Sequence, residues 1–296
     1  MICVEGLTKT FGGMPVLRGV DLAVPKGCLY GLIGPGASGK SVLLKMLTGL
    51  LRPDHGRVVV DGRVVHELSE LELQEFRLKF GMLFQNNALF DYLTVAENIA
   101  FPLRRLFNLT EDEIDARIAQ RLKVVSLAGF EDRMPSGLSG GQKKRVGVAR
   151  ATVSQAEIVL YDEPAAGLDP VTSQRIFEML RAEQRAAGAT VIMVSSDLDR
   201  LLTVTDRVGM LYKGRLIFDG TTAEAQASGE PLRPAVHPRP HRGPAVSSDP
   251  LEIRRMNRQG AKTPRSAASL IFPWRLGDLA VRFPSVDRRI SSWSLI

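Results

Sequence analysis

The sequence predicts an α/β fold in which a buried strand leads through a glycine-rich loop into a helix. The first observation is an apolar run, Leu29–Ile33, followed by the loop 34–41 and a helical pattern over residues 42–47. The second is a run of four apolar residues, 158–161, followed by two acids, which is typical of a parallel strand that presents polar groups at its carboxyl end. The third is the helical character of residues 71–153, which lie between them.

Composition permits a large buried core and indicates two regions of different character. The 296 residues are 44% hydrophobic and carry a net charge of +7. Residues 221–296 hold 12 Lys and Arg against 6 Asp and Glu, whereas residues 1–220 hold 27 against 26. We therefore expect a globular domain over 1–220 and a Pro-rich, basic, largely disordered extension over 221–296. Because the globular part is nearly neutral, we expect no nucleic-acid partner.

The glycine-rich loop fits the pattern G-x-x-x-x-G-K-[ST], whose backbone N–H groups cradle phosphates at a helix N-terminus. Lys40 is predicted to reach the β- and γ-phosphates, and Ser41 to bind Mg²⁺. The expected nucleotide-binding residues are Gly34, Pro35, Gly36, Ala37, Ser38, Gly39, Lys40, Ser41 and Val42.

Short β-type segments surround this loop in the sequence. Residues 2–4, 16–17 and 20–24 precede it, and residues 57–60 and 64–65 follow it, with Asp61-Gly62 at a turn. They predict a small antiparallel sheet beside the loop. Phe11 precedes Gly34 by 23 residues. Its ring is a candidate to stack on an adenine, with core packing as the alternative.

The apolar run at 158–161 is followed directly by Asp162 and Glu163. We expect Asp162 to bind Mg²⁺ and Glu163 to orient an attacking water, since phosphoryl transfer needs both groups.

In the helical region, Ser139 and Gln142 have the spacing of a helix N-terminal capping box, and the glycines between them allow a backbone to approach an anion. The following stretch, 143–145, is basic and is predicted to be a solvated helix face.

These motifs, in this order, resemble those of the ATP-binding subunit of ABC transporters. Gly34 to Ser41 resembles Walker A, Ile158 to Glu163 resembles Walker B, and Leu138-Ser139-Gly140-Gly141-Gln142 resembles the signature. Gln85 takes the position of the Q-loop residue and Asp169 that of the D-loop residue.

The resemblance implies a P-loop NTPase fold with a RecA-like core, an antiparallel β subdomain and an inserted helical subdomain at about 86–155. It also implies ATP and Mg²⁺ as ligands, with Gln85 joining Ser41 and Asp162 at the metal. The subunits of such proteins work as a head-to-tail dimer, formed with an identical or a related chain. In that dimer Ser139, Gly140, Gly141 and Gln142 contact the partner's ATP.

The segment after Gln85 resembles that of Mla/Mce-type lipid transporters. It contains Ala88-Leu89-Phe90, Thr94-Val95, Glu97-Asn98 and Pro102-Leu103. This implies phospholipid or related lipid transport, an integral-membrane permease and a possible lipid-binding protein as partners, and a location on the cytoplasmic face of the cell membrane. No signal peptide is expected before Gly6, and no apolar run reaches the roughly 18 residues of a membrane span. Importers of other small solutes share parts of the pattern.

Two residues depart from the family pattern. Ala37 stands where glycine is usual, and a positive φ there would cost about 1 kcal/mol. Ser196 stands where the family has its switch histidine, and it is carried here as a catalytic candidate together with Glu163 and Gln85. The leading function is therefore a transport ATPase. The alternative is a regulatory subunit that binds ATP and hydrolyses it poorly.

Overall fold

The computed structural model describes residues 1–227. Within these residues the elements run β1 Ile2–Phe11, β2 Met14–Val24, β3 Leu29–Ile33, α1 Lys40–Leu47, β4 His55–Val60, β5 Arg63–Val64, α2 Glu70–Arg77, β6 Phe80–Leu83, α3 Val95–Leu106, α4 Glu111–Val124, α5 Gly140–Thr152, β7 Ile158–Asp162, α6 Pro170–Ala187, β8 Thr190–Val194, α7 Leu198–Val204, β9 Arg207–Tyr212, β10 Arg215–Thr221 and α8 Thr222–Ala227. Regular structure thus continues past the predicted boundary near Gly220. The rest of the predicted extension lies outside the described residues.

A six-stranded sheet of order β10-β9-β3-β8-β7-β6 forms the centre of the fold. Its strands pair in parallel from β9 to β6, and β10 pairs antiparallel with β9 at one edge. Parallel strands place the loops that follow them at one edge of the sheet. The loops after β3, β6, β7 and β8 therefore lie side by side, although they are far apart in the sequence.

Both faces of this sheet are covered, which explains why its inner strands are apolar without alternation. All five residues of β3, β7 and β8 are buried. Successive side chains nevertheless enter two different cores. Leu29 and Ile33 of β3 join one core with the helices α3 to α6, whereas Tyr30 and Leu32 join a second core with α1 and the strands β1, β2 and β4.

The predicted antiparallel sheet is present, with strand order β2-β1-β4-β5. The short segments expected before the loop are parts of one long hairpin, β1–β2, because Gly12 and Gly13 supply the positive φ of its turn. The turn between β4 and β5 has φ of 48° at Asp61 and 82° at Gly62. These values are those of a type I′ hairpin turn, as the Asp-Gly pair predicts.

Helices α3, α4 and α5 lie within the range 86–155 that was predicted for the helical subdomain. The broader prediction of helical character over 71–153 is wrong at Phe80–Leu83, which form the edge strand β6. Helix α5 lies directly on this strand: a Cβ placed on Gly81 would stand 1.9 Å from the carbonyl oxygen of Ala151. Glycine at 81 is therefore required by the close approach of α5.

Two side chains, those of Tyr30 on β3 and of Cys28 directly before it, lie near charged groups. The Tyr30 hydroxyl donates to Asp219 Oδ1 over 3.0 Å, and Arg207 donates to the same oxygen over 3.1 Å. Burial raises the pKa of the Cys28 thiol to about 11, and the nearby Asp206 carboxylate adds to the shift. In the described part of the chain, no helix has the length and apolar content of a bilayer span.

Candidate functional site

A cleft of about 370 Å³ opens at the carboxyl edge of the central sheet. It brings together four segments that are distant in the sequence: the hairpin β1–β2, the loop after β3, the loop after β6 and the end of β7. Its lining residues are Val16, Gly36, Ala37, Ser38, Gly39, Lys40, Ser41, Val42, Gln85, Asp162 and Glu163. Ten of these eleven residues are among the predicted site residues, and Val16 is the addition.

The hairpin supplies an aliphatic side chain, Val16, where an aromatic one was considered. Val16 lies on β2 and is partly buried against the cleft. Phe11 is 45% exposed at the end of β1 and is not among the lining residues. The Lys9 ammonium stands 5.6 Å from its ring centroid. The alternative role of Phe11, core packing, is therefore wrong, and stacking of its ring on an adenine remains a prediction.

Backbone conformation determines which residues the glycine-rich loop can contain. Gly34 has φ of 153°, and a Cβ there would stand 2.1 Å from the carbonyl oxygen of Leu211. Gly39 has φ of 106°, and its Cβ would stand 2.6 Å from Leu17 Cδ2. Ala37 has φ of 59°, so it adopts the left-handed conformation itself, and Gly36 does not relieve it. This conformation costs an alanine about 1 kcal/mol relative to glycine.

Lys40 begins helix α1 and is 8% exposed. Its ammonium donates to the carbonyl oxygens of Gly34 at 2.7 Å and Pro35 at 2.9 Å, so the loop curls around its own cation. Burial lowers the pKa of Lys40, while the carboxylates of Glu163 and Asp162 oppose that shift. A buried cation beside a ring of backbone N–H groups is suited to binding phosphate oxygens.

The residues at the acidic end of the cleft fit a magnesium ion. Asp162 is 6% exposed, and its Oδ1 atom is buried without a hydrogen-bond partner among the described residues. Ser41 and Gln85 line the same cleft and add oxygen ligands of the kind that Mg²⁺ prefers. Residues 1–227 contain no group of three His, Cys, Asp or Glu side chains placed to hold a metal. The remaining ligands would therefore come from phosphate and water, as is usual for Mg²⁺ at nucleotide sites.

Glu163 follows Asp162 with φ of 51°, which turns the chain sharply at the end of β7. Its backbone N–H donates to the Val194 carbonyl oxygen over 3.0 Å. The Ser196 hydroxyl donates to Glu163 Oε2 over 3.4 Å, so the two catalytic candidates are neighbours. Burial raises the pKa of the Glu163 carboxyl, although hydrogen bonding by Ser196 and the charge of Lys40 oppose the shift.

Ser139 and its neighbours lie outside the lining of this cleft. Ser139 caps α5: its Oγ accepts from the Gln142 N–H, and Gln142 Oε1 accepts from the Ser139 N–H. Asp169 caps α6 by accepting from the N–H groups of Val171 and Thr172. The two caps are neighbours, because a Cβ on Gly141 would stand 3.3 Å from Thr172 Cγ2.

The prediction of a solvated basic face at 143–145 is wrong for Lys144, which is 5% exposed. Its ammonium donates to the carbonyl oxygens of Gln85 at 2.5 Å and Glu163 at 3.2 Å. The helical spacing of the sequence gives a signal that Lys144 is buried. Lys144 stands four residues before Val148 and eight before Thr152, all on the face of α5 that is buried.

The comparisons with known proteins agree with this geometry. Residues 17–166 match the sequence model of the ABC transporter family. The chain is 40% identical over 229 residues to the probable ribonucleotide transport ATP-binding protein mkl of Mycobacterium tuberculosis, across 77% of this chain and 64% of that protein. It is 38% identical over 226 residues to the methionine import ATP-binding protein MetN of Caulobacter vibrioides, across 76% of this chain and 68% of that protein. The chain thus spans just under two thirds of the mycobacterial relative.

Solved structures of ATP-binding cassettes share the fold. A dimeric post-hydrolysis state of the cassette MJ0796 bound to ADP and Pi superposes with a TM-score of 0.70 at 30% identity, covering 75% of this chain and 99% of that one. The cassette cbiO1 of Clostridium perfringens, part of the transporter complex cbiONQ, superposes with a TM-score of 0.70 at 30% identity. The match covers 76% of this chain and 90% of that one. The predicted fold class, a P-loop α/β core with an antiparallel β subdomain and a helical insertion, is confirmed. The chain belongs to the ABC transporter family, as one of its ATP-binding cassettes.

Proposed function

We propose that this chain is the ATP-hydrolysing subunit of an ABC transporter. One observation carries the proposal: a single cleft assembles Lys40, Ser41, Gln85, Asp162 and Glu163. These are the residue types that phosphoryl transfer needs, namely a phosphate-binding cation, oxygen ligands for a metal and a carboxylate for the attacking water.

Each residue has a part that follows from its surroundings. Lys40 leaves the Gly34 and Pro35 carbonyl oxygens for the phosphate oxygens, whose charge is a better partner than a neutral carbonyl. Ser41, Gln85 and Asp162 hold Mg²⁺, which when bound neutralises charge on the transferring phosphoryl group. Glu163 orients the attacking water, and Ser196 holds the Glu163 carboxylate through its hydroxyl.

Ser139, Gly140, Gly141 and Gln142 are assigned to a second cassette's nucleotide. They stand beside the Asp169 cap rather than in the cleft of their own chain. The N–H groups of Ser139 and Gln142 are engaged within the cap of α5, so those of Gly140 and Gly141 are the donors proposed for the partner's nucleotide. The solved MJ0796 cassette with ADP and Pi is dimeric, which supports a shared site. The proposed partners are therefore a second cassette and an integral-membrane permease, with the complex at the cytoplasmic face of the cell membrane.

For the transported substrate we propose phospholipid or a related lipid, because the segment 88–103 resembles that of Mla/Mce-type ATPases. The names of two relatives point to two other classes of transported substrate. The mycobacterial protein is named for ribonucleotide transport and the Caulobacter protein for methionine import. A lipid-binding protein as an additional partner belongs to the lipid assignment.

The test is to purify the chain with its permease and measure ATP hydrolysis in lipid nanodiscs. Copurified material is extracted and analysed for phospholipids, nucleotides and amino acids. We expect Mg²⁺-dependent hydrolysis that the Glu163→Gln variant lacks, together with enrichment of one lipid class. Stimulation by methionine or ribonucleotides without a lipid effect would contradict the lipid assignment and leave the ATPase assignment intact.

The second candidate is a regulatory subunit that binds ATP and hydrolyses it poorly. It is favoured by one observation, the serine at position 196, which contacts Glu163 over 3.4 Å and offers no titratable ring. Comparing wild type, Ser196→His and Glu163→Gln in the assembled complex decides between the two. Wild-type turnover equal to that of Glu163→Gln would support the regulatory function. Turnover well above it, rising about tenfold or more in Ser196→His, would identify an ATPase limited by its serine.

A further inference from the structure

Helix α5 holds a buried lysine that the family motifs do not explain. The ammonium of Lys144 is 2.5 Å from the carbonyl oxygen of Gln85 and 3.2 Å from that of Glu163. Gln85 follows β6 and Glu163 follows β7, two strands that pair side by side. One side chain therefore joins the two loops whose own side chains line the cleft.

The site of this lysine is costly for a cation, which indicates that its contacts matter. Lys144 is 5% exposed, and burial lowers its pKa, while the charges of Glu163 and Asp162 oppose the shift. A buried ammonium is retained only where carbonyl or carboxylate oxygens replace its water. Two carbonyl oxygens and two nearby carboxylates provide that replacement here.

A second cation of α5 holds the same loop further along. Arg150 donates to the carbonyl oxygens of Asn87 at 2.5 Å and Ala88 at 2.7 Å. Both acceptor residues have positive φ, 60° at Asn87 and 49° at Ala88. Residues other than glycine seldom adopt this backbone conformation, and they keep it where the surrounding structure holds it in place. Gly147 lies between the two cations, and a Cβ there would stand 2.6 Å from Leu83 Cδ1. The first half of the loop after β6 is thus fixed to α5 at Gln85, Asn87 and Ala88.

We propose that Lys144 is a positioning residue for ATP hydrolysis, setting the backbone of Gln85 and Glu163 so that their side chains meet at one reaction centre. Helix α5 begins at the Ser139 cap, so the same side chain ties the segment that faces the partner's nucleotide to the catalytic loops. This inference rests on the proposed ATPase function. Lys144 touches no reacting atom and acts only through the two loops.

The test uses the full chain assembled with its permease and compares three variants. Lys144→Met removes the ammonium and keeps the length of the side chain, Lys144→Arg restores a cation, and Lys143→Met changes the partly exposed neighbour as a control. We expect Lys144→Met to lower kcat by about tenfold to a hundredfold, because small displacements of catalytic groups have effects of that size. KM for ATP should stay within about twofold, since Lys40 and the glycine-rich loop are untouched. Lys144→Arg should recover part of kcat, and Lys143→Met should match wild type.

A second readout does not depend on hydrolysis. The N–H of Asn87 donates to the Phe84 carbonyl oxygen over 2.8 Å, so its hydrogen exchange reports opening of the loop after β6. Faster exchange there in Lys144→Met, but not in Lys143→Met, would show that Lys144 holds the loop. If wild type then proves to lack ATPase activity, the proposed function fails and the contact does not, so the two failures are distinguishable. Unchanged kcat with unchanged exchange in Lys144→Met would overturn the proposal. So would a loss of kcat that is matched by equal losses in ATP affinity and Tm and is not rescued by arginine.

Discussion

Lys40 is the residue on which nucleotide binding depends most directly. Its ammonium is held within the loop by two carbonyl oxygens, and in the proposed function it moves to the phosphates when ATP binds. We expect Lys40→Ala to weaken ATP binding at least tenfold, about 1.4 kcal/mol, as measured by calorimetry or a fluorescent analogue. Lys45→Ala, at an exposed position of the same helix, is the control and should bind as wild type does. Equal affinities for the two variants would contradict the phosphate-binding role.

Glu163 gives the reaction its expected pH dependence. Burial is the main cause that raises the pKa of this carboxyl, so the carboxylate gains its proton at a higher pH than an ordinary glutamate, whose pKa is about 4.3. A protonated Glu163 cannot accept a proton from water. We therefore expect kcat/KM for ATP to fall with decreasing pH, and the fall to begin at a higher pH than an ordinary glutamate would give, since this ratio reports the free enzyme.

The control for this profile is Ser196→His, which introduces a titratable ring beside Glu163 and should add a second inflection near pH 6.5. A wild-type profile that is flat from pH 8 to pH 5 would show that Glu163 is not the group that limits the rate.

At the scale of single elements, the contact of α5 with β6 leaves no room for a methyl group at Gly81. A Cβ there meets the backbone of Ala151, which cannot rotate away as a side chain can. We expect Gly81→Ala to lower the free energy of unfolding by roughly 1–3 kcal/mol and to lower Tm by several degrees. Gly137→Ala is the matched control, because nothing lies within 4 Å of a Cβ at that position. Equal thermal stability of the two variants would contradict the close contact.

The elements that the sequence predicts best are those with a strong local signal. The strand-loop-helix unit at 29–47, the Asp61-Gly62 turn and the Ser139 cap all depend on residues that are near neighbours in the chain. The edge strand β6 was missed because its four residues give no period that separates a strand from a helix. Its strand conformation is imposed by pairing with β7, a partner about 80 residues away.

The same distinction applies to the site. Lys40 and the acid pair Asp162 and Glu163 can be found from the sequence, because each stands in a short motif whose residue types have a chemical reason. Val16 and Lys144 escape such reasoning, since their roles arise only when the hairpin and α5 fold against the loops. The sequence indicates that a positive φ could fall at Ala37, where glycine is usual, and in the structure Ala37 does have a positive φ.

At the scale of the whole molecule, one chain holds half of each proposed reaction centre. The residues at 139–142 do not line the cleft of their own chain, so in the proposed function a second cassette completes each centre. We expect Glu163→Gln to form a stable dimer with ATP, because the substitution removes the carboxylate that orients water and leaves the phosphate contacts in place. Size-exclusion chromatography with light scattering measures this. Lys40→Ala at the same ATP concentration should remain monomeric, and a Glu163→Gln monomer at saturating ATP would contradict the shared site.

The burial of Cys28 has a practical consequence for such measurements. Because burial raises the pKa of Cys28 to about 11, few molecules carry its thiolate at pH 8, and the thiolate is the form that maleimides attack. Cys3 is the other cysteine of the chain, and it is partly exposed on β1. A fluorophore added to the unmodified protein should therefore attach at Cys3 alone, so distances between two cassettes become measurable by energy transfer without engineered cysteines.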